Sequence, residues 1–207
     1  MEQIPHKLLV ARAQLGAATQ LFLQDMDPAS VHVLACGAGE VLEGLAGSNG
    51  HVTVASVILS SRAYLTPAKL IQLRNEKWNA MKHFSTRAGA PRADEPLLSS
   101  FSDKDNDSRL FEAWFHYGQL RGSQPLDAHL LEMWVLHSSG LLEGEDQEIC
   151  GRLFPDQSNP SRSARKDQLR KCIARMKQED WTKVDGVEHW PLLLSRQQFQ
   201  ALQISQG

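Results

Sequence analysis

Proline set just inside a helix start recurs along this chain, and it constrains the fold more than any other feature. Asp27-Pro28 and Thr66-Pro67 each place a side-chain oxygen beside exposed backbone N–H groups. Each also puts proline in the first turn, where its missing N–H costs nothing. Pro125 opens a third segment of this kind. Glycines stop the helices, at Gly47 or Gly50, at Gly122 and at Gly140.

The apolar spacing between these marks is helical. From Pro5 to Gln24, Leu8, Leu15 and Phe22 recur every seventh residue with Ala11 and Ala18 between them, one stripe along one helix. The next helix carries Val31, Leu34, Val41 and Leu45. Its middle, Ala35-Cys36-Gly37-Ala38-Gly39, is small enough for a neighbouring helix to approach closely, against about 1 kcal/mol of propensity per glycine. Residues 51–60 are β-branched and apolar, and read as a short strand or as the lead into the next helix. A lone strand makes no sheet, which favours the helical reading.

From Pro67 to about Phe84, Leu70, Leu73, Trp78, Ala80, Met81 and Phe84 gather on one broad side, with Asn75, Asn79 and His83 on the other. Arg74 falls inside the apolar arc and needs a buried partner. Residues 85–100 read as a polar loop. A helix capped by Asp105 or Asp107 runs through Leu110, Phe111, Trp114 and Tyr117 to Gly122, and another runs from Pro125 to Gly140. The short interval between them makes an antiparallel hairpin. Further on, residues 155–165 read as a linker and 163–178 as a basic amphipathic helix. Trp181, Trp190 and Leu192-Leu193-Leu194 are expected to dock the tail on the core. The expectation is an all-α bundle of five to six helices with little or no β-structure. Residues 1–140 form its core, and 141–207 form a helical extension packed on it within one domain.

Composition narrows the function classes. Hydrophobic residues make up 42% and charged residues 22%, which suits a packed core and not a disordered chain. A formal charge of −2 argues against a broad electrostatic grip on nucleic acid. No apolar run reaches the roughly 18 to 20 residues of a membrane span, and Met1-Glu2-Gln3-Ile4-Pro5 lacks the basic flank of a secretory signal. Cys36, Cys150 and Cys172 are odd in number and widely spaced, as expected of reduced thiols in a cytoplasm.

The standard chemical motifs are missing. Gly37-Ala38-Gly39 lacks the third glycine of a dinucleotide fingerprint, and neither a phosphate loop nor Gly-x-Ser-x-Gly occurs. His32 with Cys36, and His129 with Glu132, could each touch one ion, but a stable site needs three or four ligands. Neither a metal nor a cofactor is expected.

Three constellations remain. Arg109 and His116 are nearly two helical turns apart and so share a face. An arginine to hold phosphate and a histidine to move a proton make a metal-free RNA-cleaving pair. The spacing resembles the Arg-x4-6-His motif of HEPN domains, a helical superfamily that includes dimeric ribonucleases. That resemblance implies Arg109 as phosphate holder and His116 as acid or base, although the family usually has a polar residue where this chain has Leu110.

The second constellation joins Ser30-Val31-His32-Val33-Leu34-Ala35-Cys36, Asn79-Ala80-Met81-Lys82-His83-Phe84 and Asn106-Asp107. It is similar to a group of uncharacterised bacterial helical proteins. The resemblance implies a bundle in which His32, Asn79, Lys82, His83 and Asp107 converge as a ligand site. The plain alternative is a solvated polar stripe beside a core histidine. The third is the basic segment Arg162, Arg165, Lys166, Arg170, Lys171, Arg175 and Lys177, which reads as an RNA or protein contact or as a solvated face.

These readings lean away from an enzyme. The leading expectation is a cytoplasmic binding or regulatory module, homodimeric on the strength of five Trp and a Gly/Ala-lined helix. The first rival is a HEPN-like ribonuclease. The second is a small-ligand or metal site between the helices carrying His32, Asn79 and His83.

Overall fold

A computed structural model describes residues 5–155 and 160–204. They form ten α-helices: α1 (His6–Leu23), α2 (Pro28–Ser48), α3 (Val54–Ser61), α4 (Pro67–Lys82), α5 (Glu95–Ser99), α6 (Asp105–Arg121), α7 (Leu126–Ser138), α8 (Gly144–Leu153), α9 (Arg162–Gln178) and α10 (Arg196–Ile204). A 3-10 turn occupies Trp181–Lys183. The fold is all-α, without a strand among the described residues, and five to six helices understated it. The helices not foreseen as separate elements are the short ones, α3, α5, α8 and α10, which fall below the roughly 11-residue window over which helical periodicity is read.

Residues 51–60 turn into α3 because Thr53 caps it. The Thr53 hydroxyl accepts from the Ser56 N–H at 3.1 Å, and the Ser56 hydroxyl accepts from the Thr53 N–H at 3.1 Å. Asp27 and Thr66 cap α2 and α4 in front of their prolines, as their side chains dictate. Neither Asp105 nor Asp107 caps α6. Lys104 holds that position, and the two aspartates in the first turn face lysine and arginine instead. The polar loop 85–100 contains α5, and α4 ends at Lys82, leaving Phe84 85% exposed outside it. Residues 1–4 and the middle of the expected linker, 156–159, lie outside the described residues.

α2 packs between α1 and α6, and its small residues make this possible. Ala35, Ala38 and Ala46 are buried, and a Cβ on Gly39 would lie only 3.6 Å from the Ala113 Cβ. Leu15, Phe22, Val31, Leu42, Leu110 and Trp114 fill the surrounding space with no exposed surface. The same buried cluster continues through α7 and α9 to Leu192. Each fully buried large apolar side chain contributes roughly 1.5–3 kcal/mol.

The tail is held across α1 by one buried cation. Arg12, 3% exposed, donates to the carbonyls of Leu192 at 2.8 Å and Pro191 at 2.9 Å and pairs with Glu188. The other Glu188 oxygen accepts from the Tyr117 hydroxyl at 2.7 Å. Gly16 lies directly beneath this segment. A Cβ at Gly16 would stand 2.2 Å from the Leu192 carbonyl oxygen, so only glycine lets the tail backbone lie so close. Gly16→Ala should therefore lift the tail and destabilise the protein by about 1–3 kcal/mol. Urea unfolding and limited proteolysis of the C-terminal segment check this. An unchanged midpoint with an unchanged cleavage rate would contradict the account.

Candidate functional site

The first turn of α3 carries N–H groups with no partner inside their own helix. Two of them are taken by side chains from other helices. Val54 N–H donates to the Nε2 of His116 on α6 at 3.2 Å, and Ala55 N–H donates to the Oε1 of Glu43 on α2 at 3.3 Å. Glu43 also pairs with Arg74 of α4 at 2.8 Å, and the far side of that guanidinium meets Glu112 of α6 at 2.6 Å. Arg74 is half-buried, and these two half-buried carboxylates are the partners its place in the apolar arc called for. Arg109 donates to the Arg74 carbonyl and stands 3.4 Å from Glu112.

These side chains line a cleft of about 400 Å³ between α2, α4 and α6, with the start of α3 at its rim. Ala35, Ala55 and Ile71 give it apolar surface. Three carboxylates, Glu40, Glu43 and Glu112, stand against two guanidiniums, Arg74 and Arg109, so the lining carries no cationic excess. Cys36 also lines the cleft, but burial pushes its thiol up to about 11, which makes it a poor nucleophile.

His116 is only 1% exposed, and burial lowers its pKa, so the ring is neutral near pH 7. Because Nε2 accepts from Val54, the ring hydrogen belongs on Nδ1. That Nδ1 is buried and has no hydrogen-bond partner among the described residues, and the same holds for the Nε–H of Arg74. Two residues that line one cleft therefore each carry a buried donor without an acceptor.

The structure brings Arg109 and His116 to this one cleft. Among the described residues no hydrogen bond or ion pair is formed between any two of His32, Asn79, Lys82, His83 and Asp107, and several of them are engaged elsewhere. His32 is 2% exposed, its Nδ1 lies 2.9 Å from the Asn106 Oδ1, and its Nε2 lies 3.5 Å from the Cys36 sulfur. Asn106 in turn donates to the Pro28 carbonyl at 3.0 Å, so this histidine ties α2 to α6 within the core. Asn79 is half-buried and His83 is exposed at the C-terminal end of α4. The Lys82 ammonium sits 3.4 Å from the Trp78 ring centroid. Asp107 pairs with Arg162 across the α6–α9 contact.

The basic segment faces inward more than the sequence suggested. Lys166 has no exposed surface and reaches Asp25 at 3.0 Å and Asp103 at 2.7 Å. Arg162 pairs with Asp103 and Asp107, and Lys177 pairs with Asp127 at 2.8 Å. Sequence reasoning also missed Glu43 and Glu112. A signal for Glu112 was present, since it stands three residues after Arg109 and four before His116, on the same helix face.

No known protein family matches the chain, and neither does any curated protein or solved structure. The site therefore rests on its own geometry.

His32 and His116 make stability depend on pH in one direction. Burial lowers the folded pKa of both below 6.5, so below that pH the unfolded chain binds more protons than the folded one. Their contribution is fully present above about pH 6.5 and is lost as the pH falls toward the folded values. Glu132, whose pKa burial raises to about 7, works in the opposite direction, so the histidine contribution is read as a difference. Urea unfolding of wild type and His116→Asn between pH 8 and pH 5, at roughly half-unit steps, should show wild type losing stability relative to the variant below about pH 6.5. A difference that stays flat, or that moves in favour of wild type as the pH falls, would contradict the assignment of His116.

Proposed function

We propose that this chain is a binding module whose ligand is a small neutral molecule with a carbonyl oxygen, held in the α2–α4–α6 cleft. The observation that carries this reading is the pair of buried N–H donors without acceptors, His116 Nδ1 and Arg74 Nε, in one cleft. Leaving such donors unmade costs roughly 1–3 kcal/mol each, and a carbonyl oxygen relieves that cost. The volume falls in the range of small-molecule pockets, and the apolar part of the lining suits an organic body. Phosphate or carboxylate fits less well, because Glu43 and Glu112 already neutralise Arg74 and Glu40 adds a further negative charge.

Titrating the labelled protein with acetamide, 2-pyrrolidone and uracil tests this. Saturable shifts at the Val54 amide and the His116 ring are expected, and Ala55→Phe, which fills the rim, should abolish them. Absence of saturation by all three probes, or shifts indifferent to Ala55→Phe, would contradict the reading.

The placement of Arg109 and His116 on one cleft favours a second reading, the HEPN-like metal-independent ribonuclease. It requires Arg109 to release the Arg74 carbonyl and α3 to withdraw from His116. RNA cleavage in the presence of chelator, abolished in a folded His116→Ala, would establish it over the binding reading.

A cytoplasmic setting belongs to the same proposal and is supported by three cysteines that are free and buried. No helix among the described residues is long and apolar enough to cross a membrane. The sequence features that favour a homodimer have other uses within the chain. Trp78, Trp114 and Trp134 are buried within the chain, and the small face of α2 is occupied by α1 and α6. A homodimer would have to use other surface, such as Val57 of α3 and Ile71 of α4, which are 52% and 59% exposed.

A further inference from the structure

A second polar network lies at the α6–α7 turn, away from the residues of the cleft. The backbone of Gln124 pairs with the tail, accepting from Glu188 N–H and donating to the Gly186 carbonyl, both at 3.0 Å. The same carbonyl lies 2.9 Å from His129 Nε2. A carbonyl can only accept, so Nε2 carries the hydrogen and His129 Nδ1 is the acceptor. Gln124 Nε2, 3.2 Å from that Nδ1, must then donate to it, and its second hydrogen goes to Glu132 Oε2. The orientation of the Gln124 amide follows, and its oxygen faces away from both partners.

Two acceptors are left over. Gln124 Oε1 and Glu132 Oε1 are both buried without a hydrogen-bond partner among the described residues, and Gln124 is only 4% exposed. Both residues line one pocket of about 330 Å³, together with Gly118 and Ser123. Gly118 lies against the amide oxygen, and a Cβ there would crowd it at 3.2 Å. No lysine or arginine pairs with Glu132 among the described residues, which is unusual for a buried carboxylate. Burial accordingly raises its pKa to about 7.

Two orphaned acceptors, one of them on an unpaired carboxylate, call for a positively charged donor. We propose that this pocket binds a small organic cation bearing N–H groups, an ammonium or a guanidinium, whose hydrogens reach Gln124 Oε1 and Glu132 Oε1. Such a ligand supplies the counter-charge that the fold withholds from Glu132, and charge-assisted hydrogen bonds of this kind are the stronger class. The site shares no residue with the cleft and stands or falls independently of it.

The test titrates the whole protein at pH 8 with propylammonium, methylguanidinium and tetramethylammonium, following the Gln124 side-chain amide and the His129 ring by NMR. Either of the first two should saturate shifts at both positions, whereas tetramethylammonium, which has no N–H, should not. Glu132→Gln should weaken binding by about tenfold or more. Gly118→Ala, which crowds the amide oxygen and keeps the carboxylate, should weaken it as well. Failure of both N–H cations to saturate would overturn the proposal. So would equal saturation by tetramethylammonium, or undiminished binding in folded Glu132→Gln. If Glu132→Gln does not fold, the tetramethylammonium comparison on the wild-type protein decides alone.

Discussion

The close approach of α2 to both α1 and α6 is the constraint on which the rest of the structure depends. Helices carrying large side chains pack about 8–10 Å apart, and alanine and glycine at the contact permit the lower end of that range. Ala35, Ala38 and Gly39 provide that contact here. Because α2 is drawn in on one side, its other side presents Glu43 to α4 and to the start of α3, while α6 presents Glu112 and His116 to the same space. The cleft is thus the margin of the central packing and not a separate feature. A residue larger than alanine at Gly39 would push on Ala113 and open the contact from which the cleft is built.

Charge inside this protein is handled by pairing across distance in sequence. Arg12 with Glu188, Arg74 with Glu43 and Glu112, and Lys166 with Asp25 and Asp103 each join elements that are remote along the chain. Such pairs fix which helices meet more than they add to stability, since desolvation offsets much of the attraction. On the basic helix α9, Arg162 and Lys166 are held by carboxylates of the same chain, while Lys171, Arg175 and Lys177 stay exposed.

The major helices were legible because their signals are local. A cap followed by proline, a heptad stripe and a glycine stop need nothing beyond their own segment, and α1, α2, α4, α6, α7 and α9 appear close to where those signals put them. The candidate site was legible only in part. Arg109 and His116 share a face by spacing alone, and Arg74 announced that it needed a partner. The identity of that partner was not readable, because Glu43 and Glu112 sit on other helices. The partners of His32 and Asp107 were unreadable for the same reason. His32 found Asn106 and Asp107 found Arg162, choices made by tertiary packing that no single helix encodes.

The cleft and the turn pocket differ in hydrogen-bond character, one with donors to spare and the other with acceptors. The functional account rests most heavily on the first, and there on the state of a single ring. Nitrogen-15 NMR of the His116 imidazole at neutral pH examines it directly. The account predicts a neutral ring with its hydrogen on Nδ1 and Nε2 accepting from the Val54 amide. A hydrogen on Nε2 alone would remove the free donor and with it the case for an acceptor-bearing ligand.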